Sequence, residues 1–191
     1  MSKPTPDKQL EIHKTALADV EKIRRLQAAV WRVTYPNDEH GVSAEWVQQE
    51  TQEWLTTDAL DKSKKFLGDI LASSDHFHEV AYNGTKAVGF IHGSRINGNQ
   101  RLDGLYIHPS YHGKGLAQRF VDDLLSWFDQ SKDIVLEVAS YNERAKAFYA
   151  KYGFREWYKE DEKFKGVIPS TKMIRKGVDN KNENRPSGRS E

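Results

Sequence analysis

Residues 105–117 read Leu-Tyr-Ile-His-Pro-Ser-Tyr-His-Gly-Lys-Gly-Leu-Ala. A strand-like run stops at Pro109, two glycines follow at Gly113 and Gly115, and an amphipathic helical stripe begins. The first amides of a helix have no internal partners and carry the positive end of the peptide dipoles. The junction therefore suits an anion, and a pyrophosphate fits it well. With no β-carbon at either glycine, the main chain can come close to phosphate oxygens. His112 and Lys114 could add donors. The same two glycines could equally make a plain tight turn into a helix. Two other phosphate patterns fail on the letters. No G-x-x-x-x-G-K-[ST] string occurs, and Gln118 stands where the third glycine of G-x-G-x-x-G belongs, with Glu137 a loose stand-in for the expected acid. An NAD(P)-binding protein stays as an alternative.

The elements around this junction follow from periodicity. Leu17, Val20, Ile23, Leu26 and Val30 recur at helical spacing over 16–33, and Pro36 ends that helix. Further helices are expected over 43–55 and 58–72. The period then changes: 77–82 and 87–94 read as strands joined at Asn83-Gly84, and 102–108 as a third. Leu116, Ala117, Phe120, Val121, Leu124, Leu125 and Phe128 make one apolar stripe on a helix over 113–129. Residues 134–139 are apolar on both faces except at Glu137, as in a central parallel strand. A short helix over 142–152 closes at Gly153, and strands near 154–160 and 168–175 complete the order. That order packs most simply as an α/β fold, a mixed sheet covered by helices on both faces.

Two segments carry a family resemblance. Residues 105–117 resemble motif A of the GNAT N-acetyltransferase superfamily, whose core is [QR]-x-x-G-x-[GA]; Gly115 and Ala117 match, and His112 takes the Gln/Arg position. Residues 142–154 are similar to motif B, N-x-x-A-x-x-F-Y-x-x-x-G-F, at Asn142, Ala145, Phe148, Tyr149, Gly153 and Phe154. The resemblance covers about residues 11–176. It implies a GNAT-like acyl-CoA N-acyltransferase fold, with a mostly antiparallel central sheet and two strands that splay to admit the pantetheine arm of CoA. Leu105, Tyr106 and Ile107 would present main-chain groups to that arm, one N–H polarising the thioester carbonyl. The amides of Gly113, Lys114, Gly115, Leu116 and Ala117, beside His112, would hold the pyrophosphate. Asn142, Ala145, Phe148 and Tyr149 would border the arm.

The implied function is an acyltransferase, moving acetyl from acetyl-CoA directly to a primary amine of a small molecule or peptide. An acyl-CoA-binding module without turnover is the alternative of another class. Tyr149 takes the family's general-acid position, which would protonate the departing thiolate; packing beside Phe148 is its ordinary alternative. An alkylamine must shed a proton before attack, and Asp103, on the strand leading to the cleft, is the base we expect; Glu137 and ordered water remain open. In the family the first helices and last hairpin shape the acceptor site. Trp31 and Tyr35 are the expected acceptor contacts, with Trp46 and Trp54 nearby and Glu160, Asp161 and Glu162 as an acidic turn. His76 and His78 share a strand face at a spacing that can bind metal, but two exposed histidines are the commoner outcome, and no metal is expected. His92 and His108 are minor candidates as proton carriers.

Composition narrows the rest. The 191 residues suit one domain, 11–177, with polar tails at 1–10 and 178–191 expected to be flexible. A net charge of +1 favours neither nucleic acid nor a membrane surface. The absence of cysteine excludes disulfides, thiolate metal sites and a thiol nucleophile. No signal peptide or membrane span is visible, so a cytoplasmic location is expected, and a homodimer stays open.

Overall fold

The computed structural model describes residues 10–158 and 163–178. The chain opens with an edge strand, β1 (Glu11–Lys14), where the sequence pointed directly to a helix. A 3-10 turn then leads into α1 (Val20–Thr34), followed by α2 (Ala44–Glu53) and α3 (Thr57–Leu71). Ser43 and Thr56 accept from the amides of Trp46 and Ala59, so side chains cap both α2 and α3. A meander of β2 (His76–Asn83), β3 (Lys86–Ile96) and β4 (Asn99–Ile107) follows. Next come α4 (Leu116–Trp127), β5 (Ile134–Ala139), α5 (Glu143–Ala150), β6 (Arg155–Tyr158), β7 (Lys163–Phe164) and β8 (Ile168–Arg175). The strand order is β1-β2-β3-β4-β5-β8-β6, with β7 pairing to β8. Among the described residues only the β4–β5 pair is parallel, joined through α4.

Alternation along the strands, shifted by a bulge at Val88 between the pairs Tyr82–Ala87 and Ala81–Gly89, sets the two layers. Val80, Tyr82 and Phe90 meet Ile23, Leu26 and Val30 of α1 on one face. Ala81, Val88 and Ile91 meet Phe120, Val121 and Leu124 of α4 on the other. Complete burial of such side chains contributes roughly 1.5–3 kcal/mol each. Helix α4 approaches β3 closely at Gly93, where an added Cβ would sit 2.5 Å from Leu124 Cδ1. Among the described residues no helix is long and apolar enough to cross a membrane.

The pairing of β4 with β5 is brief. Gln100, Arg101 and Leu102 face Ile134, Val135 and Leu136, and there the ladder stops. From Gly104 to Ile107, β4 keeps β3 on one side and, among the described residues, has no strand on the other, while Glu137–Ala139 pair there only with β8. The sheet therefore opens as a wedge, with unpaired main chain along its inner edge.

Candidate active site

A cavity of about 690 Å³ fills this wedge. Its β4 wall is Leu105, Tyr106 and Ile107, and its floor is His112, Gly113, Gly115, Leu116 and Ala117. Asn142, Ala145, Phe148 and Tyr149 form the α5 wall, and Tyr35 closes the inner end from just beyond α1. These residues, distant in sequence, were all expected at the cofactor or acceptor site. Lys114 does not line the cavity; its Nζ lies 5.1 Å from the centre of the Tyr111 ring. Arg144 and Lys151 line the cavity and were not singled out in the sequence, although both lie within the motif-B segment.

The glycine turn differs in detail from the expected helix start. Gly113 and Gly115 have φ of 74° and 78°, left-handed values that an α-helix cannot contain, so α4 begins at Leu116 rather than 113. Above Gly113 a Cβ would meet nothing within 4 Å, so the glycine serves backbone handedness and leaves open space. No side chain caps α4, in contrast to α2, α3 and α5. Its first amides are thus available to an anion. Asn142 lines the cavity and also caps a helix. Its Oδ1 accepts from the Ala145 amide at 3.1 Å and caps α5.

His112 is not a spare donor. Its Nε2 lies 3.1 Å from the Ile107 carbonyl oxygen and its Nδ1 2.6 Å from Arg144 Nη1. A carbonyl only accepts and a guanidinium only donates, so the ring carries its proton on Nε2. Burial, and then the Arg144 charge, push its pKa below the ordinary value. The neutral ring ties β4 to α5 across the cavity mouth and holds Arg144 there.

At the inner end sit three phenols. Tyr149 is 7% exposed, and its hydroxyl makes no hydrogen bond to the described residues. Burial, and then Tyr106, raise its pKa well above the ordinary value, so it stays protonated near neutrality. Tyr35 is raised in the same way by burial, then by Tyr106 and Tyr149.

Tyr106 also lines a second cavity, of about 200 Å³, between the sheet and helices α1 and α3. Asp103, His78, His92, Phe90, Arg24 and Phe66 are among its walls. Asp103 Oδ1 is 3.2 Å from Arg101 Nε, and its Oδ2 is 3.9 Å from His92 Nε2. Glu137, the other candidate base, is bound by Arg101 at 3.2 Å and Ser170 at 2.5 Å and lines neither cavity. The histidines expected to be exposed are half-buried by cross-strand pairing of β2 with β3. His76 Nδ1 lies 3.1 Å from His92 Nε2, and His78 stacks on both Phe90 and His92. Burial, and then the neighbouring His92, push His78 down to about 3. Burial also lowers His92, against the opposing pull of Asp103. Among the described residues no group of three or more His, Cys, Asp or Glu is arranged to hold a metal ion. His108 accepts from the Ser110 amide and lines neither cavity.

Trp31, expected to touch the acceptor, is 1% exposed and lines neither cavity. It packs edge-on against Tyr35 and Trp54, both at 4.6 Å, and against Phe164. Trp46 and Trp54 join the same apolar cluster. Glu160, Asp161 and Glu162 lie outside the described residues, as do most of both expected tails.

Residues 42–176 match the model of the acetyltransferase (GNAT) domain. The PaiA N-acetyltransferase of Thermoplasma acidophilum, in complex with coenzyme A, superposes with a TM-score of 0.67 at 21% identity, covering 88% of this chain and 99% of that one. A GNAT-family acetyltransferase of Streptococcus pneumoniae gives 0.66 at 16%, covering 89% and 100%. The ribosomal-protein-S18-alanine N-acetyltransferase of Escherichia coli gives 0.62 at 14%, covering 91% and 98%. At these identities the likeness is one of fold. A search of curated proteins by sequence found no match.

Proposed function

The chain belongs to the GNAT acetyltransferase family, and from that premise we propose that it is an acetyl-CoA-dependent N-acetyltransferase acting on a primary amine. The observation that carries this reading is the wedge between β4 and β5, with an uncapped glycine turn at its outer end and Tyr149 at its inner end. The fit to acetyl-CoA is one of chemistry and shape. The wedge offers unpaired main chain to an amide-rich arm, the turn offers amides to a diphosphate, and Arg144 adds a cation at the mouth.

In this reading the amine nitrogen attacks the thioester carbonyl carbon, and a main-chain N–H near Leu105 steadies the oxygen as charge builds on it. As the carbon–sulfur bond breaks, the Tyr149 hydroxyl gives its proton to sulfur. The hydroxyl is protonated near neutrality, so its proton is present when the thiolate forms. The nitrogen sheds its surplus proton toward Asp103, directly or through water. Arg101 grips one oxygen of Asp103, leaving the other facing His92. Tyr106, a wall of both cavities, marks where amine and thioester meet. Acetyl as the acyl group, a cytoplasmic setting and direct transfer without a covalent enzyme intermediate are parts of the proposal.

The test is release of free CoA thiol from acetyl-CoA in the presence of a panel of amines, with acetylated products identified by mass spectrometry. Amine-dependent thiol release is expected. Saturable acetyl-CoA binding with no amine raising the rate above hydrolysis would instead identify a binding module.

A further inference from the structure

The second cavity contains a charge that proton removal does not use. Arg24 projects into it from α1, with its Nε donating to Ser63 Oγ at 3.0 Å and its Nη1 to Gln27 Oε1 at 2.9 Å. Both partners are neutral. They fix the plane of the guanidinium and, among the described residues, bring it no opposite charge. Among the described residues no carboxylate lies within ion-pair distance of Arg24. Among the described residues the one acid lining the cavity, Asp103, is held by Arg101 instead. Nη2 has no hydrogen bond to the described residues. Arg24 and Tyr106 line the same cavity, and burial lowers the Arg24 pKa from its ordinary value against the opposing effect of Tyr106. A half-buried cation with only neutral partners is stabilised by an anion that completes its fork.

The cavity's size and walls narrow the anion's carrier. Its 200 Å³ would hold roughly six waters, the scale of a single small molecule. Ile23, Leu67, Ile70 and Phe90 give it apolar walls, with Phe66 at 59% exposure on the rim. Resting on the amine-acetyltransferase reading above, we propose that the acceptor is an amino acid with an apolar side chain. Arg24 binds its carboxylate, Asp103 and His92 face its amine, and the α1–α3 wall takes its side chain.

The experiment compares leucine with isopentylamine, which is the same skeleton without the carboxylate, by calorimetry on the full chain saturated with CoA. Leucine is expected to bind about 10–100-fold more tightly, the contribution of a charge-assisted contact. Arg24→Gln should bring the two ligands within about threefold of each other and leave acetyl-CoA affinity unchanged, which certifies the fold. Arg24→Lys should recover part of the preference. Equal or tighter binding of isopentylamine to the wild type, absence of binding by either ligand, or a preference that survives Arg24→Gln would each overturn the proposal. Tight leucine binding without thiol release from acetyl-CoA would support the anion site while defeating the transfer reaction, so the two readings fail separately.

Discussion

The two cavities share Tyr106 as a wall but are made of different material. The wedge between β4 and β5 is largely a main-chain site: unpaired strand edge, a left-handed glycine turn and the uncapped end of α4. The cavity under α1 and α3 is a side-chain site, built from Arg24, Ser63, His78, His92 and Asp103 on five separate elements. A main-chain site is encoded by one contiguous stretch and tolerates changes of side chain, such as His112 in the motif's Gln/Arg position. A side-chain site exists only after the sheet and helices have assembled, and every lining residue can alter what it accepts.

The contrast breaks most visibly where the two sites meet. Tyr149→Phe removes the proposed acid while leaving the wedge intact, so kcat should fall on the order of 10³-fold with acetyl-CoA affinity unchanged. Steady-state rates beside a cofactor titration check this, and equal turnover would remove the acid role.

Acid should strike the side-chain cavity first. His78 has a folded pKa of about 3 against an ordinary 6.5, so the unfolded chain binds the extra proton first as pH falls. Stability is flat above about 6.5 and declines as pH falls from there toward 3. The loss should be on the order of 3 kcal/mol by about pH 4. Denaturant midpoints across pH measure it, and His78→Phe should flatten the slope.

Asp103→Asn should lower kcat/KM for the amine on the order of 10²-fold, with the deficit shrinking at high pH, where the free amine predominates. A deficit independent of pH would assign Asp103 to positioning.

The smallest effects fall on the main-chain site. Gly115→Val forces a β-branched residue into a left-handed conformation at a cost of roughly 1–2 kcal/mol. Acetyl-CoA affinity should drop about tenfold. His112→Gln, a change of side chain only, should cost less than about threefold. If the two variants rank in reverse, the floor of the wedge is read by side chains after all.

Much of the wedge was legible in the sequence because its signals are local. Pro109, Gly113, Gly115 and the stripe from Leu116 announce strand, turn and helix without knowledge of any distant partner. The helix start was misplaced by three residues because periodicity does not register the sign of φ. Strand β1 was missed because only Ile12 among its four residues is apolar, and its order comes from backbone pairing with β2. Trp31 was expected at a pocket because aromatics often line one. Its actual partners, Trp54 and Phe164, come from parts of the chain whose packing no local pattern reveals. The burial of His78 and His92, and the neutral partners of Arg24 among the described residues, likewise follow from strand register and helix docking.

Amide hydrogen exchange of the full chain with and without acetyl-CoA tests the central claim most directly. Ligand should slow exchange in 105–117 and 142–150 and leave α3 at 57–71 unchanged. Unaltered exchange in the first two segments at a saturating ligand concentration, or protection concentrated elsewhere, would contradict the placement of acetyl-CoA in the wedge.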